Sequence, residues 1–171
     1  YVIPRKSFDH YLFSAASIGS DVKSNFHVTD IIYENEKVVG VEGKFSNGEA
    51  KKYYGNVILG ADGPYSIVAR KTGSYNADNN FTAVGIRCYY ENIDELTDQI
   101  ELHYVNETIP GYFWIFPAGV RTANIGVGLL KSKVKKKSKK LHEILNQVIS
   151  SNNFKKRFKN SKPLELSLIH I

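Results

Sequence analysis

"NVILGADGPYSIVARKTG", Asn56 to Gly73, is the stretch on which the fold turns. Three apolar residues, Val57, Ile58 and Leu59, lead into Gly60-Ala61-Asp62-Gly63, then Ser66, Arg70 and Lys71. A short continuous apolar run reads as a strand covered on both faces. A glycine turn after it brings backbone N–H groups and one carboxylate to the edge of a sheet, where open α/β folds bind ligands. Gly60 and Gly63 carry no Cβ to obstruct such an approach, and Asp62 can accept hydrogen bonds from ribose hydroxyls. The same residues also fit a plain Asp-Gly turn capping the short helix read over residues 65 to 71. From these residues alone both readings stand.

Upstream, residues 7 to 18 read as a helix, with Phe8, Tyr11, Leu12 and Ala15 at helical spacing, Ser7 as N-cap and Gly19 as terminator. Residues 26 to 33 and 37 to 45 read as strands joined by a turn at 34 to 36, and Asp30 interrupts the first. Asn47-Gly48 is the strongest hairpin signal, since both residues tolerate positive φ, and leads into a third strand near 50 to 54. Downstream, polar residues 74 to 80 mark a boundary. Strand patterns then recur at 81 to 90, 99 to 105, 111 to 116 and 122 to 130, as in an antiparallel sheet. Leu141, Ile144, Leu145, Val148 and Ile149 form one face of a last helix.

Composition narrows the class. Of 171 residues 42% are hydrophobic, enough for one ordinary domain or two small lobes. No window approaches the roughly 20 apolar residues of a membrane span. One cysteine, Cys88, allows no internal disulfide and no Cys-rich zinc site, and it reads as a packed thiol in a reduced, cytoplasmic setting. The five histidines show no metal-ligand spacing, so no metal is expected. The net charge of +6 is uneven: residues 131 to 162 carry 11 Lys, one Arg and one acid, and the remainder is mildly acidic. Lysines near an anionic lipid surface contribute about 1 kcal/mol each, so peripheral membrane contact is one reading of this segment and a solvated helix face the other. Nucleic acid is not expected, because no recognition motif accompanies the lysines. The start at Tyr1, inside a helix-entry pattern, is expected of an internal portion of a longer protein. "LSLIHI", residues 166 to 171, reads as a non-native tail and is set aside from the fold.

A second constellation is "PGYFWIFPAGVRTANIGVG". Tyr112, Trp114 and Phe116 lie at i, i+2 and i+4, so on a strand they share a side. They either line a channel for a long hydrocarbon or fill the core. Gly126 and Gly128 read as places where a strand comes close to something else; a dinucleotide GxGxxG would need glycine where Lys131 stands.

"GADGPYSIVARKTG" resembles the second nucleotide-contacting motif of flavoproteins related to aromatic hydroxylases, with Ser66 in place. Ala69 stands where those enzymes carry their first Arg, and Arg70 follows it, a departure that points to a sister branch. YxWxFP, eight residues, then GxG is similar to the pattern of the geranylgeranyl reductase family, FAD enzymes that hydrogenate isoprenoid double bonds. Arg5, Phe8, Asp9 and Leu12 match that family's RxxFDxxL entry, and "GIRCYYENI", residues 85 to 93, its first substrate-sheet strand. The resemblance implies that Arg5, Gly60, Asp62, Gly63 and the backbone of Val28 meet FAD. It implies that Tyr112, Trp114, Phe116, Gly126 and Gly128 meet an isoprenoid or isoprenoid-lipid substrate.

The expected architecture is α/β plus α+β. Residues 1–73 form a partial FAD-binding lobe with a β-hairpin meander, 81–130 an antiparallel substrate-binding sheet, and 131–165 a basic segment with the C-terminal helix. The expected activity is reduction of isoprenoid carbon–carbon double bonds, with NAD(P)H or ferredoxin as electron donor and no catalytic acid identified. The chain alone is expected to be inactive and to hold FAD weakly. The alternatives are a flavin monooxygenase or halogenase on the same scaffold, and a non-enzymatic module for membrane surfaces.

Overall fold

The computed structural model describes residues 2–76, 78, 80–137 and 140–170. They fall into two compact units, His10–Asn76 and a second made of Tyr1–Asp9 with Ala77–Ile171. Residues before His10, expected in the 1–73 lobe, group with the later unit instead. Helix α1, Arg5–Ala16, begins two residues earlier than its spacing predicts. Ser7 is not its cap: the N–H groups of Ser7 and Phe8 both donate to the carbonyl of Pro4. Gly19, at φ +78°, stands in the left-handed turn beyond its end.

The His10–Asn76 unit is built on an antiparallel meander, β1 (Phe26–Glu34), β2 (Lys37–Phe45) and β3 (Ala50–Tyr54), in that order. The tightest connection is the Asn35–Glu36 pair, where both residues have positive φ, as two-residue hairpins require. At Asn47-Gly48 only Gly48 is left-handed, at φ +90°. Asn47 instead accepts the Glu49 N–H through its side chain at 3.0 Å, the local bond that suits Asn to turns. Asp30 does not end β1. The register shifts between Val28 and Asp30, and the strand continues to Glu34.

Helix α2 (Ile67–Lys71) follows a 3-10 turn, Gly63–Tyr65, and lies against β1. The Tyr33 hydroxyl donates to the Lys71 carbonyl at 3.1 Å, and the Lys71 ammonium pairs with Asp30 at 2.8 Å. Val57 to Leu59 do not form the expected covered strand. The three-stranded sheet ends with β3, and Val57 and Leu59 are 74% and 86% exposed. An apolar run becomes a strand only where neighbours supply ladder partners, and among the described residues of this unit none lies beside it.

The second unit carries a five-stranded antiparallel sheet in the order β5-β6-β7-β4-β8. Its strands are β4 (Ala83–Glu91), β5 (Glu101–His103), β6 (Tyr112–Pro117), β7 (Ala123–Leu130) and β8 (Lys162–His170). One face is the core. Ile86, Cys88 and Tyr90 of β4, Phe113 and Ile115 of β6, and Ile125, Val127 and Leu129 of β7 point to it. Helix α4 (Leu141–Ile149) covers that face with Ile144, Leu145 and Val148, joined by Phe154 and Phe158. Each fully buried side chain of this size contributes about 1.5–3 kcal/mol. Glu143, in the first turn of α4, accepts the Lys140 N–H at 3.0 Å. A shorter helix, α3 (Lys131–Lys137), precedes it; of the lysine run, residues 138 and 139 lie outside the described residues.

Two features were not anticipated. Arg157 clamps Glu101 of β5 with two bonds of 2.8 Å and donates to the Asp94 and Glu95 carbonyls. It thereby pins the segment after α4 to the sheet. Secondly, residues 166–170, set aside as tail, take the strand position beside β4 from Leu166↔Cys88 to His170↔Val84. An edge strand presents unpaired backbone N–H and C=O groups, and another strand that pairs with them extends the ladder.

Candidate functional site

The second face of the five-stranded sheet is aromatic. Tyr112, Trp114 and Phe116 project from β6 away from the core face, as the i, i+2, i+4 spacing predicts. Their rings form a chain, Tyr112 to Trp114 at 5.9 Å and Trp114 to Phe116 at 6.0 Å between centroids. Tyr104 extends it at 6.4 Å from Tyr112.

Trp114 is not a free-standing panel of this wall. Its indole lies over the neighbouring strands and is only 5% exposed. A Cβ at Gly126 would fall 2.1 Å from Trp114 Cζ2, while at Gly85 and Gly128 it would meet the indole at 3.6 Å. The glycines therefore provide the floor on which the ring rests. The indole N–H donates to Asn124 Oδ1 at 2.8 Å, and both residues are buried. Ring plane and position are thus fixed by a glycine floor and one buried hydrogen bond. Sequence reading placed Gly126 near something and did not name it. Asn124, alone polar in an apolar strand, was the signal that it had a partner.

Beside this face lies a cavity of about 510 Å³, lined by the first residues of the chain and by β4. Arg5, Lys6 and Asp9 stand on one wall, and Arg87 and Tyr89 on the other. Arg5 and Asp9, the charged members of RxxFD, form an i,i+4 ion pair at 2.9 Å. The Arg87 guanidinium stacks 5.5 Å from the Tyr89 ring centre. Neither Arg87 nor Tyr89 was singled out by sequence, because an alternating strand looks the same whichever face binds.

In the His10–Asn76 unit the turn at Asp62 has a definite local job. One carboxylate oxygen accepts the Ser66 hydroxyl; the other accepts the Ile67 N–H at 2.6 Å and the Val68 N–H at 3.4 Å. Ser66 in turn accepts the Ala69 N–H at 2.9 Å. These bonds, the Ser66 hydroxyl first, hold the Asp62 carboxyl below the usual range. The capping alternative is realised. Gly60 is small for α2 as well: a Cβ there would meet Val68 Cβ at 2.7 Å. Gly63, at φ +76°, has nothing within 4 Å of that position. Val28 pairs with Gly43 next to the β1 irregularity. Among the described residues no group of three or more His, Cys, Asp or Glu is placed to hold a metal ion. No helix among them is long and apolar enough to cross a membrane.

Comparison with known proteins puts a family on this sheet. Residues 82–168, which contain β4 to β7 whole and all of β8 but its last two residues, match the model of the geranylgeranyl reductase catalytic domain. The chain belongs to the geranylgeranyl reductase family. A digeranylgeranylglycerophospholipid reductase of Methanococcoides burtonii is 33% identical over 157 residues, 89% of this chain and 37% of that protein. One from Methanosarcina acetivorans is 31% identical over 172 residues, 97% of this chain and 40% of that protein. A geranylgeranyl bacteriochlorophyll reductase-like protein of Thermoplasma acidophilum has a solved structure that superposes with a TM-score of 0.85. It is 25% identical, across 98% of this chain and 42% of its own. The flavin-dependent brominase Bmp2 shares the fold, with a TM-score of 0.77 at 21% identity over 98% of this chain and 44% of that one. The chain thus spans about two fifths of the length of the relatives it matches.

Proposed function

We propose that the chain is part of an FAD-dependent oxidoreductase that reduces carbon–carbon double bonds of an isoprenoid lipid. The observation that carries this reading is the aromatic row: half-buried Tyr112 and Phe116, on either side of the braced and buried Trp114, offer apolar surface along which a polyprenyl chain can lie extended. Relatives named for digeranylgeranylglycerophospholipid support the lipid class. Burying apolar chain against such a wall yields about 25 cal/mol per Å², so affinity scales with chain length. Gly126 and Gly128 serve the substrate indirectly, by holding the indole.

FAD fits the residues present. Gly63 leaves its turn open on one side, and the Asp62 carboxylate beside it is exposed. The Val28 backbone and the Gly60–Gly63 turn would meet the nucleotide part of FAD, and the Arg5 side chain would reach the flavin. A bound, reduced flavin would supply hydride, having taken a hydride from NAD(P)H or two single electrons and protons by way of ferredoxin. The residues of this chain bind, orient and exclude water around the alkene. Contact with an anionic membrane through the lysines of 131–162 belongs to the same proposal, since the substrate is a lipid.

The test is anaerobic turnover by the full-length protein with chemically reduced flavin and a geranylgeranyl lipid, read by mass spectrometry. Loss of double bonds is expected. Oxygen-dependent hydroxylation or halogenation, without alkene reduction, would assign the scaffold to the halogenase-like reading instead.

A further inference from the structure

Strand β5 stands at the edge of the five-stranded sheet, beside β6, and is three residues long. Its register sorts its side chains. Glu101 pairs with Ile115 and His103 with Phe113, both residues of the core face, whereas Leu102 pairs with Trp114. Residues directly opposite on an antiparallel ladder share a face, so Leu102 stands on the aromatic side next to Trp114. Tyr104 is on that side too, its ring 6.4 Å from that of Tyr112. The aromatic row therefore has a second rank, and this rank is open: Leu102 is 48% exposed and Tyr104 71%.

Three residues is the short end of strand lengths, and what fixes β5 comes from behind the sheet. Arg157 meets both carboxylate oxygens of Glu101 at 2.8 Å and donates to the Asp94 and Glu95 carbonyls, in the loop that leads into β5. Glu101 also meets the His103 ring at 2.9 Å, and that ring packs against Phe113 and Phe154. A forked, charge-assisted pair fixes direction as well as distance. Holding Glu101 on the core face thus sets where the next residue, Leu102, stands on the other.

We propose that Arg157 is a positioning residue for the ligand face: acting through Glu101 from the core side, it holds β5 so that Leu102 meets the ligand's hydrocarbon beside Trp114. This rests on the isoprenoid reading above and deepens it. The hydrocarbon lies along Tyr112, Trp114 and Phe116 and is bounded at its side by Leu102, while Arg157 touches neither.

The test is anaerobic turnover of geranylgeraniol by the full-length protein with chemically reduced flavin, resolved into kcat and KM. Leu102→Ala should raise KM about tenfold and leave kcat and the thermal midpoint unchanged, because the side chain is half exposed in the fold. Arg157→Gln should also raise KM with kcat unchanged, and should lower the midpoint. In the double variant the two KM effects should be less than additive, since one acts through the other, while the midpoint stays that of Arg157→Gln. Should Arg157→Gln not fold, Arg157→Lys, which keeps the charge without the fork, carries the same comparison with a smaller KM rise. An unchanged KM in Leu102→Ala overturns the proposal. So do KM effects that combine in full, which would leave Arg157 a structural role alone. Both results keep alkene reduction by the wild type; a wild type that reduces no double bond of geranylgeraniol removes the isoprenoid reading and this proposal with it.

Discussion

The Trp114 indole occupies the space that a side chain at Gly126 would need, with Cζ2 2.1 Å from the position of a Cβ there. The same Cβ would lie 2.5 Å from the Ile86 carbonyl oxygen, so moving the ring alone does not relieve it. Gly126→Ala should therefore destabilise the fold by about 1–3 kcal/mol, the usual penalty of overpacking. Urea denaturation measures the loss. A red-shifted tryptophan emission should accompany it, because the ring is lifted from its floor. Unchanged emission and stability would mean the backbone of β7 yields freely.

The Trp114–Asn124 bond makes a second prediction. Asn124→Ala leaves the buried indole N–H without an acceptor, at a cost of about 1–3 kcal/mol. Trp114→Phe removes the donor and strands the Asn124 amide. In a double-mutant cycle the two losses should be less than additive, since each variant already breaks the same bond. Full additivity would show that the bond contributes nothing.

Glu101 and Arg157 predict a pH dependence. Their side chains are 19% and 14% exposed. The Arg157 guanidinium first, then the His103 ring, hold the Glu101 carboxyl below the ordinary range, against the opposing effect of burial. Because the folded-state pKa is depressed, the contribution is complete above the unfolded pKa of about 4.3 and is lost as pH falls through the folded value. Glu101→Gln should cost about 1.5–3 kcal/mol at pH 7. The gap from wild type should close on acidification toward pH 3. A gap that stays constant would assign the loss to packing instead.

Leu145 tests the core independently. It is buried on α4 against the sheet face opposite the aromatic row. Leu145→Ala should cost about 2–5 kcal/mol while leaving Trp114 emission in the folded state unchanged. A shifted emission would show that the two faces communicate through the sheet.

Legibility in the sequence followed the range of the interactions. The meander, the four strands of 81 to 130 and α4 were readable because alternation and helical spacing are local. The sharing of one face by Tyr112, Trp114 and Phe116 was readable for the same reason. Arg87 and Trp114 are separated by 27 positions and meet only through two registers, which no local pattern carries. Ser66 was noticed as a motif position, yet its service to Asp62 and α2 needed the turn geometry. Val57 and Leu59 misled because an apolar run states a need for cover without saying what provides it. Residues 166–170 were set aside as a non-native tail, although their backbone pairs along β4.

The alternation of β6 also dictates where this lineage can tolerate changes of length. Phe113 and Ile115 belong to the core; Tyr112, Trp114 and Phe116, interleaved with them, form the aromatic row on the other face. Adding or deleting one codon within β6 would exchange the two sets, sending the aromatic row into the core and the core residues to the opposite face. Insertions should therefore accumulate in the connections at 92–100, 104–111 and 118–122, while within β6 only substitutions survive, each free to adjust one trait without disturbing the other.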